Sequence, residues 1–166
     1  MARRAFYSFH YVADNWRASQ VRNMGMIEGD APVSDNDWET VTRGGDAAIQ
    51  SWIAGQLSGK ACTVVLVGQN TAGRKWISYE ISESWNKKKG VLGIRIHNLK
   101  DVNQMQALQG GNPFDYVTFT KTNAKLSTVV SLYDPPYAGS TDVYKYIKDN
   151  ISTWVEKAIA IRNSHE

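Results

Sequence analysis

Trp76 and Glu80 stand four residues apart in the segment W-I-S-Y-E, a spacing that places both on one face of a helix. Ile77 and Ile81 flank Glu80 on the side such a helix would bury. A carboxylate at the border of an apolar stripe is partly desolvated, which raises its pKa and suits it to acid–base work. It can also stabilise a cationic transition state, as carboxylates do at oxocarbenium-like sugar centres. The competing reading is a solvated helical glutamate beside a Lys or Arg. His10 ends an aromatic run with the composition of a strand, and in open α/β sheets ligands bind beyond the carboxyl ends of the strands. His10, His97 and His165 show no metal-ligand spacing, and Cys62 is the one cysteine. Neither a metal, an intramolecular disulfide nor a Cys-based zinc site is therefore expected. The chain has no G-x-x-x-x-G-K-[ST] loop, no G-x-G-x-x-G after its first strand and no G-x-S-x-G elbow.

The elements that must position these residues follow from pattern. Residues 5–11 (AFYSFHY) predict a strand. A helical pattern follows through Trp16, Ser19, Val21 and Met24, with Asp14 as its cap or in its first turn. Residues 25–34 read as loop. Asp46 opens a second helix with Ile49, Trp52, Ile53 and Leu57 at helical spacing, and Gly59 lies where it should stop. Residues 62–68 (CTVVLVG) form a near-continuous apolar run, the signature of a strand buried on both faces. Residues 75–89 predict a helix with Ile77, Ile81, Ser84, Trp85 and Lys88 on one face. Its terminal Lys87-Lys88-Lys89 suits the negative end of the helix dipole, and Gly90 is expected to break it. Residues 91–97 (VLGIRIH) are another strand. Residues 98–128 are polar and read as an irregular insertion. Residues 129–133 predict the last strand, and 141–162 a long helix with Val143, Tyr146, Ile147, Ile151, Trp154, Val155 and Ile159 inward. Strands alternating with helices predict an α/β fold around a mainly parallel sheet.

The chain has 166 residues, 42% of them hydrophobic and 21% charged, which suits a single globular domain over residues 1–166 and excludes a disordered chain or a coiled coil. Most of the six tryptophans are expected to anchor the core or its edge. The net charge is +3, and the basic residues are too scattered for a nucleic-acid-binding stripe. No apolar run has the roughly 20 residues of a membrane helix, and residues 1–4 are not followed by a secretory pattern. A cytoplasmic protein without membrane or nucleic-acid partners is expected.

The segment Phe6-Tyr7-Ser8-Phe9 resembles the F-I-S-[YF] first strand of TIR domains. Trp76-Ile77-Ser78-Tyr79-Glu80, about 70 residues later, resembles their W-C-x-x-E helix motif. More narrowly, residues 4–11 (RAFYSFHY), V-R-N at Val21 to Asn23, R-K-W-I-S-Y-E-I at Arg74 to Ile81 and N-P-F-D-Y at Asn112 to Tyr116 resemble the TIR-like proteins of bacterial Thoeris antiphage systems. The likeness runs over residues 3–116, and the last third matches only as a further strand and helix. Ile77 stands where the family often has Cys, and His10 where other TIR domains often have Arg. The segment 25–37 has no match to the signature loop of receptor TIRs.

The resemblance implies a flavodoxin-like TIR fold that cleaves the nicotinamide–ribose bond of NAD and makes a cyclic ADP-ribose isomer, a messenger for a separate effector. It implies Glu80 as the essential catalytic residue. The expected substrate-binding set is Ser8, Phe9, His10, Tyr11, Asp37, Trp38 and Trp76. Phe9, Trp38 or Trp76 would stack on nicotinamide or adenine, with core packing as the alternative. Asp35, Asp37 and Tyr11 would hold ribose hydroxyls or cap loops. NAD enters as substrate and no cofactor is expected. A phage-derived trigger, an effector reached through the product and a homo-oligomer are the expected partners, and no effector domain is expected within the chain. Two other classes compete: a TIR-like scaffold without turnover, and a flavodoxin-like binder of another nucleotide such as a flavin, which would make the protein yellow.

Overall fold

Residues 3–29 and 41–165 are described by a computed structural model. The elements are β1 (Arg4–Ser8), α1 (Tyr11–Arg22), β2 (Glu28–Gly29), α2 (Asp46–Leu57), β3 (Cys62–Val67), α3 (Lys75–Asn86), β4 (Gly90–Arg95), β5 (Leu132–Tyr133) and α4 (Ser140–Asn163). The strands form one sheet in the order β2-β1-β3-β4-β5, with every pairing parallel. This is the doubly wound flavodoxin-like arrangement that alternating strands and helices predict.

The apolar run at β3 lies near the centre of the sheet, and all six of its residues are buried. Its side chains alternate between faces. Cys62, Val64 and Leu66 join Ala5, Tyr7, Leu92 and Ile94 in a core closed by α1 and α4. Val65 and Val67 face the other way, into a core with Ile77, Ile81 and Trp85 of α3 and Phe114. Helix α4 buries Val143, Ile147, Ile151, Trp154 and Val155 as predicted, with Tyr146 and Ile159 at the edge, and adds Ala158 and Arg162. No described helix is long and apolar enough to cross a membrane.

Several expectations are corrected. The first strand ends at Ser8 rather than residue 11, because the chain turns at His10 and Tyr11 already opens α1. Asp14 takes the second of its two expected places, the first turn of α1, with His10 at the cap position; its carboxylate is buried against Arg17. Gly90 does not break the third helix. The left-handed residue is Lys88 (φ 63°), whereas Gly90 opens β4, where α4 crosses the sheet closely. Lys88 itself is exposed rather than on the buried face. Of the tryptophans, Trp85 and Trp154 are core residues, in line with the expectation for most of them, and Trp16 is half-exposed on α1. Residues 98–128 are irregular as expected, with two short 3-10 turns (Pro113–Tyr116 and Leu126–Thr128). Asn112 accepts from the Phe114 amide at 2.9 Å, so N-P-F-D-Y is a structural turn.

The Gly90 contact makes a direct prediction. A Cβ there would lie 2.8 Å from the Ile159 amide nitrogen and 3.0 Å from the Ala158 carbonyl carbon, backbone that cannot rotate away. Gly90→Ala is expected to cost about 1–3 kcal/mol. Thermal denaturation reads it; an unchanged midpoint would mean that α4 does not sit this close.

Candidate active site

Adjacent strands β1 and β3 send their chains to opposite faces of the sheet, β1 into α1 and β3 into α3. A crevice opens at such a switch point, beyond the carboxyl ends of the strands. Here it is a cavity of about 510 Å³, walled by the end of β1, by α1, by Trp52 and Gln56 of α2, and by residues 73–77 and Glu80. Its apolar lining includes Phe6, Phe9, Val12, Trp52, Trp76 and Ile77.

Glu80 enters it from α3. The stripe Ile77, Glu80, Ile81 and Ser84 is the buried side of that helix, so helical periodicity carries the carboxylate inward with the isoleucines. Glu80 is 8% exposed and forms no ion pair with any described residue, which disposes of the solvated, Lys- or Arg-paired reading. Among the described residues its side-chain partner is Ser8, whose hydroxyl donates to Oε1 at 2.8 Å. Burial pushes the Glu80 pKa up to about 8, and the Ser8 hydrogen bond opposes part of that rise. The helix backbone beneath it is pinned. Ser84 Oγ donates to the Glu80 carbonyl at 2.6 Å, which leaves Thr63 on β3 as the donor to Ser84 at 2.7 Å.

Five of the residues singled out in the sequence meet in this cavity: Phe9, His10, Tyr11, Trp76 and Glu80. Phe9 and Tyr11 stack at 6.1 Å between ring centroids. Trp76 is half-buried, edge-on to Tyr79 at 5.5 Å, and rests on the cluster of Phe6, Ile49, Ile53 and Leu57. Burial, and then the charge of Arg74, lowers the His10 pKa, so its imidazole is neutral near pH 7. Ser8 is 1% exposed and does not line the cavity; it reaches the site only through Glu80. Asp35, Asp37 and Trp38 lie outside the described residues. Arg22, Trp52, Gln56, Arg74 and Lys75 also line the cavity, and the sequence reading gave none of them a role there. Arg22 and Arg74 sit inside motifs quoted above, so a signal was present. Trp52 has the helical spacing of a core residue, and its spacing with Gln56 holds no hint of what they face. Gly73, in the left-handed region at φ 82°, passes under the Tyr116 ring, so the N-P-F-D-Y turn borders the mouth. No group of three or more His, Cys, Asp or Glu among the described residues is arranged to hold a metal.

A five-stranded parallel sheet of this order, with a buried glutamate on the helix after the central strand turned toward the end of β1, is a TIR-type flavodoxin-like fold. The family is more specific than the fold. The chain belongs to the family described as "Thoeris protein ThsB, TIR-like domain", which it matches over residues 6–101. It is similar, at 38% identity over 125 residues, to a Bacillus cereus (strain MSX-D12) protein named "Putative cyclic ADP-D-ribose synthase ThsB1". The alignment takes in 72% of this chain and 65% of that relative, so it spans just under two thirds of the relative's length.

Proposed function

We propose that this chain, acting as a single TIR-like domain in the cytoplasm, cleaves the nicotinamide–ribose bond of NAD. It then closes the ADP-ribosyl product into a cyclic isomer that serves as a messenger in antiphage defence. The observation that carries this reading is the buried Glu80 carboxyl, held by Ser8 and without an ion pair to any described residue, in the cavity at the switch point. The name of the Bacillus cereus relative points the same way.

The chemistry suits the lining. Nicotinamide leaves as the glycosidic C–N bond breaks and its electron pair returns to the pyridinium ring, which leaves a ribosyl oxocarbenium centre. Ionised Glu80 stabilises that centre electrostatically, and a low-dielectric wall strengthens the effect. Phe9 and Trp76 offer faces for stacking on nicotinamide or adenine, and Tyr11 a hydroxyl for the ribose; Asp37 and Trp38 complete the set expected from the sequence. Cyclisation requires an internal hydroxyl or adenine nitrogen to reach the anomeric carbon before water does. The apolar walls disfavour water and hold the chain folded over. Where a hydroxyl attacks, its proton needs a base, and a carboxylate with a pKa of about 8 is well matched to take it. In this reading a phage-derived cue starts turnover, and the diffusible product, not the chain, reaches the effector.

Infected cells carrying the wild-type chain or Glu80→Gln test the proposal, with NAD and ADP-ribose species followed by mass spectrometry. A new ADP-ribose isomer in the wild type alone is expected. No change in either sample, with folded protein and a phage the system resists, would make the chain an interaction module.

A further inference from the structure

Two of the sequence motifs contain arginines to which the glutamate chemistry assigns nothing: Arg22 in V-R-N and Arg74 in R-K-W. Both line the cavity, Arg22 from the end of α1 and Arg74 from the residue that opens α3. Glu80 is the one carboxylate among the described lining residues, against three basic side chains, Arg22, Arg74 and Lys75. The lining therefore suits a ligand that is anionic away from its reacting carbon.

The cations are not equivalent. Lys75 Nζ is 2.6 Å from Asp46 and lies over the Trp76 ring, so its charge is answered within the fold. Arg74 forms no ion pair with any described residue, and its charge is felt across the cavity rim at His10. Arg74 precedes Glu80 by six positions, a rise of about 9 Å along α3. That is the scale of one ribose and one phosphate. A guanidinium is planar, always charged, and matched to phosphate oxygens two at a time.

We propose that Arg74, with Arg22 on the α1 wall, forms a diphosphate subsite that holds the ligand with its ribosyl carbon at Glu80. This rests on the NAD reading above. It adds a direction to the bound dinucleotide and a selection rule: dinucleotides with a diphosphate are favoured over nucleosides with the same reacting ribose. Arg22 also contacts other parts of the protein, so Arg74 is the cleaner probe.

Titration calorimetry of ADP-ribose and of adenosine into the Glu80→Gln protein tests this without turnover. Adding Arg74→Gln is expected to weaken ADP-ribose by about 10- to 100-fold, the loss of a charge-assisted contact, and to leave adenosine unchanged. Arg74→Lys should lose less, and Arg22→Gln should act in the same direction as Arg74→Gln. Thermal melts check folding, since Arg74 is exposed and its carbonyl still accepts from Ser78. Absence of ADP-ribose binding, an affinity indifferent to Arg74, or equal losses for both ligands would overturn the subsite. Failure of the wild type to cleave NAD, with ADP-ribose binding still dependent on Arg74, would instead remove the cleavage reading and leave the subsite. NAD cleavage with a KM indifferent to Arg74→Gln would do the reverse.

Discussion

Glu80→Gln is expected to inactivate the protein and, at pH 8, to make it more stable. The sign follows from the proton. Unfolded, Glu80 titrates near 4.5; folded, at about 8. Below pH 4.5 both states hold the proton and the site costs nothing. As pH rises from 4.5 to 8 the unfolded state releases its proton while the native state retains it, so stability falls through that window. Beyond pH 8 the buried carboxylate is ionised and the full loss has accrued. The amide of Gln is neutral at every pH and can still accept from Ser8. The variant should therefore gain a few kcal/mol at pH 8, discounted from about 1.4 kcal/mol per pKa unit for relaxation and water entry. For a domain of this size that raises the melting midpoint by about 5–10 °C, and the gain should vanish as pH approaches 4.5. Melting curves across that range read it; a variant equally or less stable at all pH values would show that Glu80 is not a buried acid. The same titration shapes catalysis. In the wild type kcat/KM should fall on the acid side of pH 8, because it reports the free enzyme. The limb in kcat should lie lower, since a pyridinium held beside Glu80 favours the carboxylate. NAD cleavage should fall in Glu80→Gln by about 10³-fold or more, the scale of losing a preorganised electrostatic group.

Replacing Arg17 should have the largest effect outside the cavity. Its guanidinium is 5% exposed and sits between α1 and the start of the irregular segment. Nε donates to the Leu99 carbonyl and Nη2 to the Met105 carbonyl, each at 2.8 Å, and Nη1 to Asp14 at 3.2 Å. Asp14 is buried too, its pKa raised by burial and held back by Arg17, with its second oxygen unbonded and pressed against Gly68 at the end of β3. Arg17→Met fills much of the space but strips two carbonyls of donors and leaves a buried acid alone. A cost of about 3–5 kcal/mol is expected, a fall of roughly 10 °C in the melting midpoint. Hydrogen exchange should rise first in residues 99–105, where Gln20 Nε2 to the Lys100 carbonyl at 2.7 Å is a remaining tie to α1. Adding Asp14→Leu should recover part of the loss, because removing both members of a buried pair is far milder than removing one. No loss in the single variant, or further loss in the double, would show that the pair does not clamp the segment.

The order of elements was largely legible in the sequence, for a physical reason. Periodicity is local: the run at Cys62–Val67 reports burial on both faces, and the spacing of Ile77, Glu80 and Ile81 already turns the glutamate inward. The resemblance of short motifs pointed to the same helix and to the end of the first strand. Boundaries were less legible. The aromatic composition of residues 5–11 suits a strand throughout, yet parallel pairing with β3 ends at Ser8 and the chain must turn there. The glycine at 90 has the look of a helix stop, whereas its need is a close approach by α4 from about 70 residues away.

What only the tertiary structure decided is how distant residues meet. Ser8 reads as a strand residue near a site; the packing of α3 across β1 makes it the partner of Glu80. Arg22 and Arg74 stood in recognisable motifs without a task until α1 and α3 diverged around one cavity. The pKa of Glu80 likewise has no local cause, because desolvation depends on everything packed around the carboxyl. Sequence spacing sets which face of a helix a residue occupies, but the strand order sets what that face looks at. Strand order arises from long-range pairing, which no short window of residues contains.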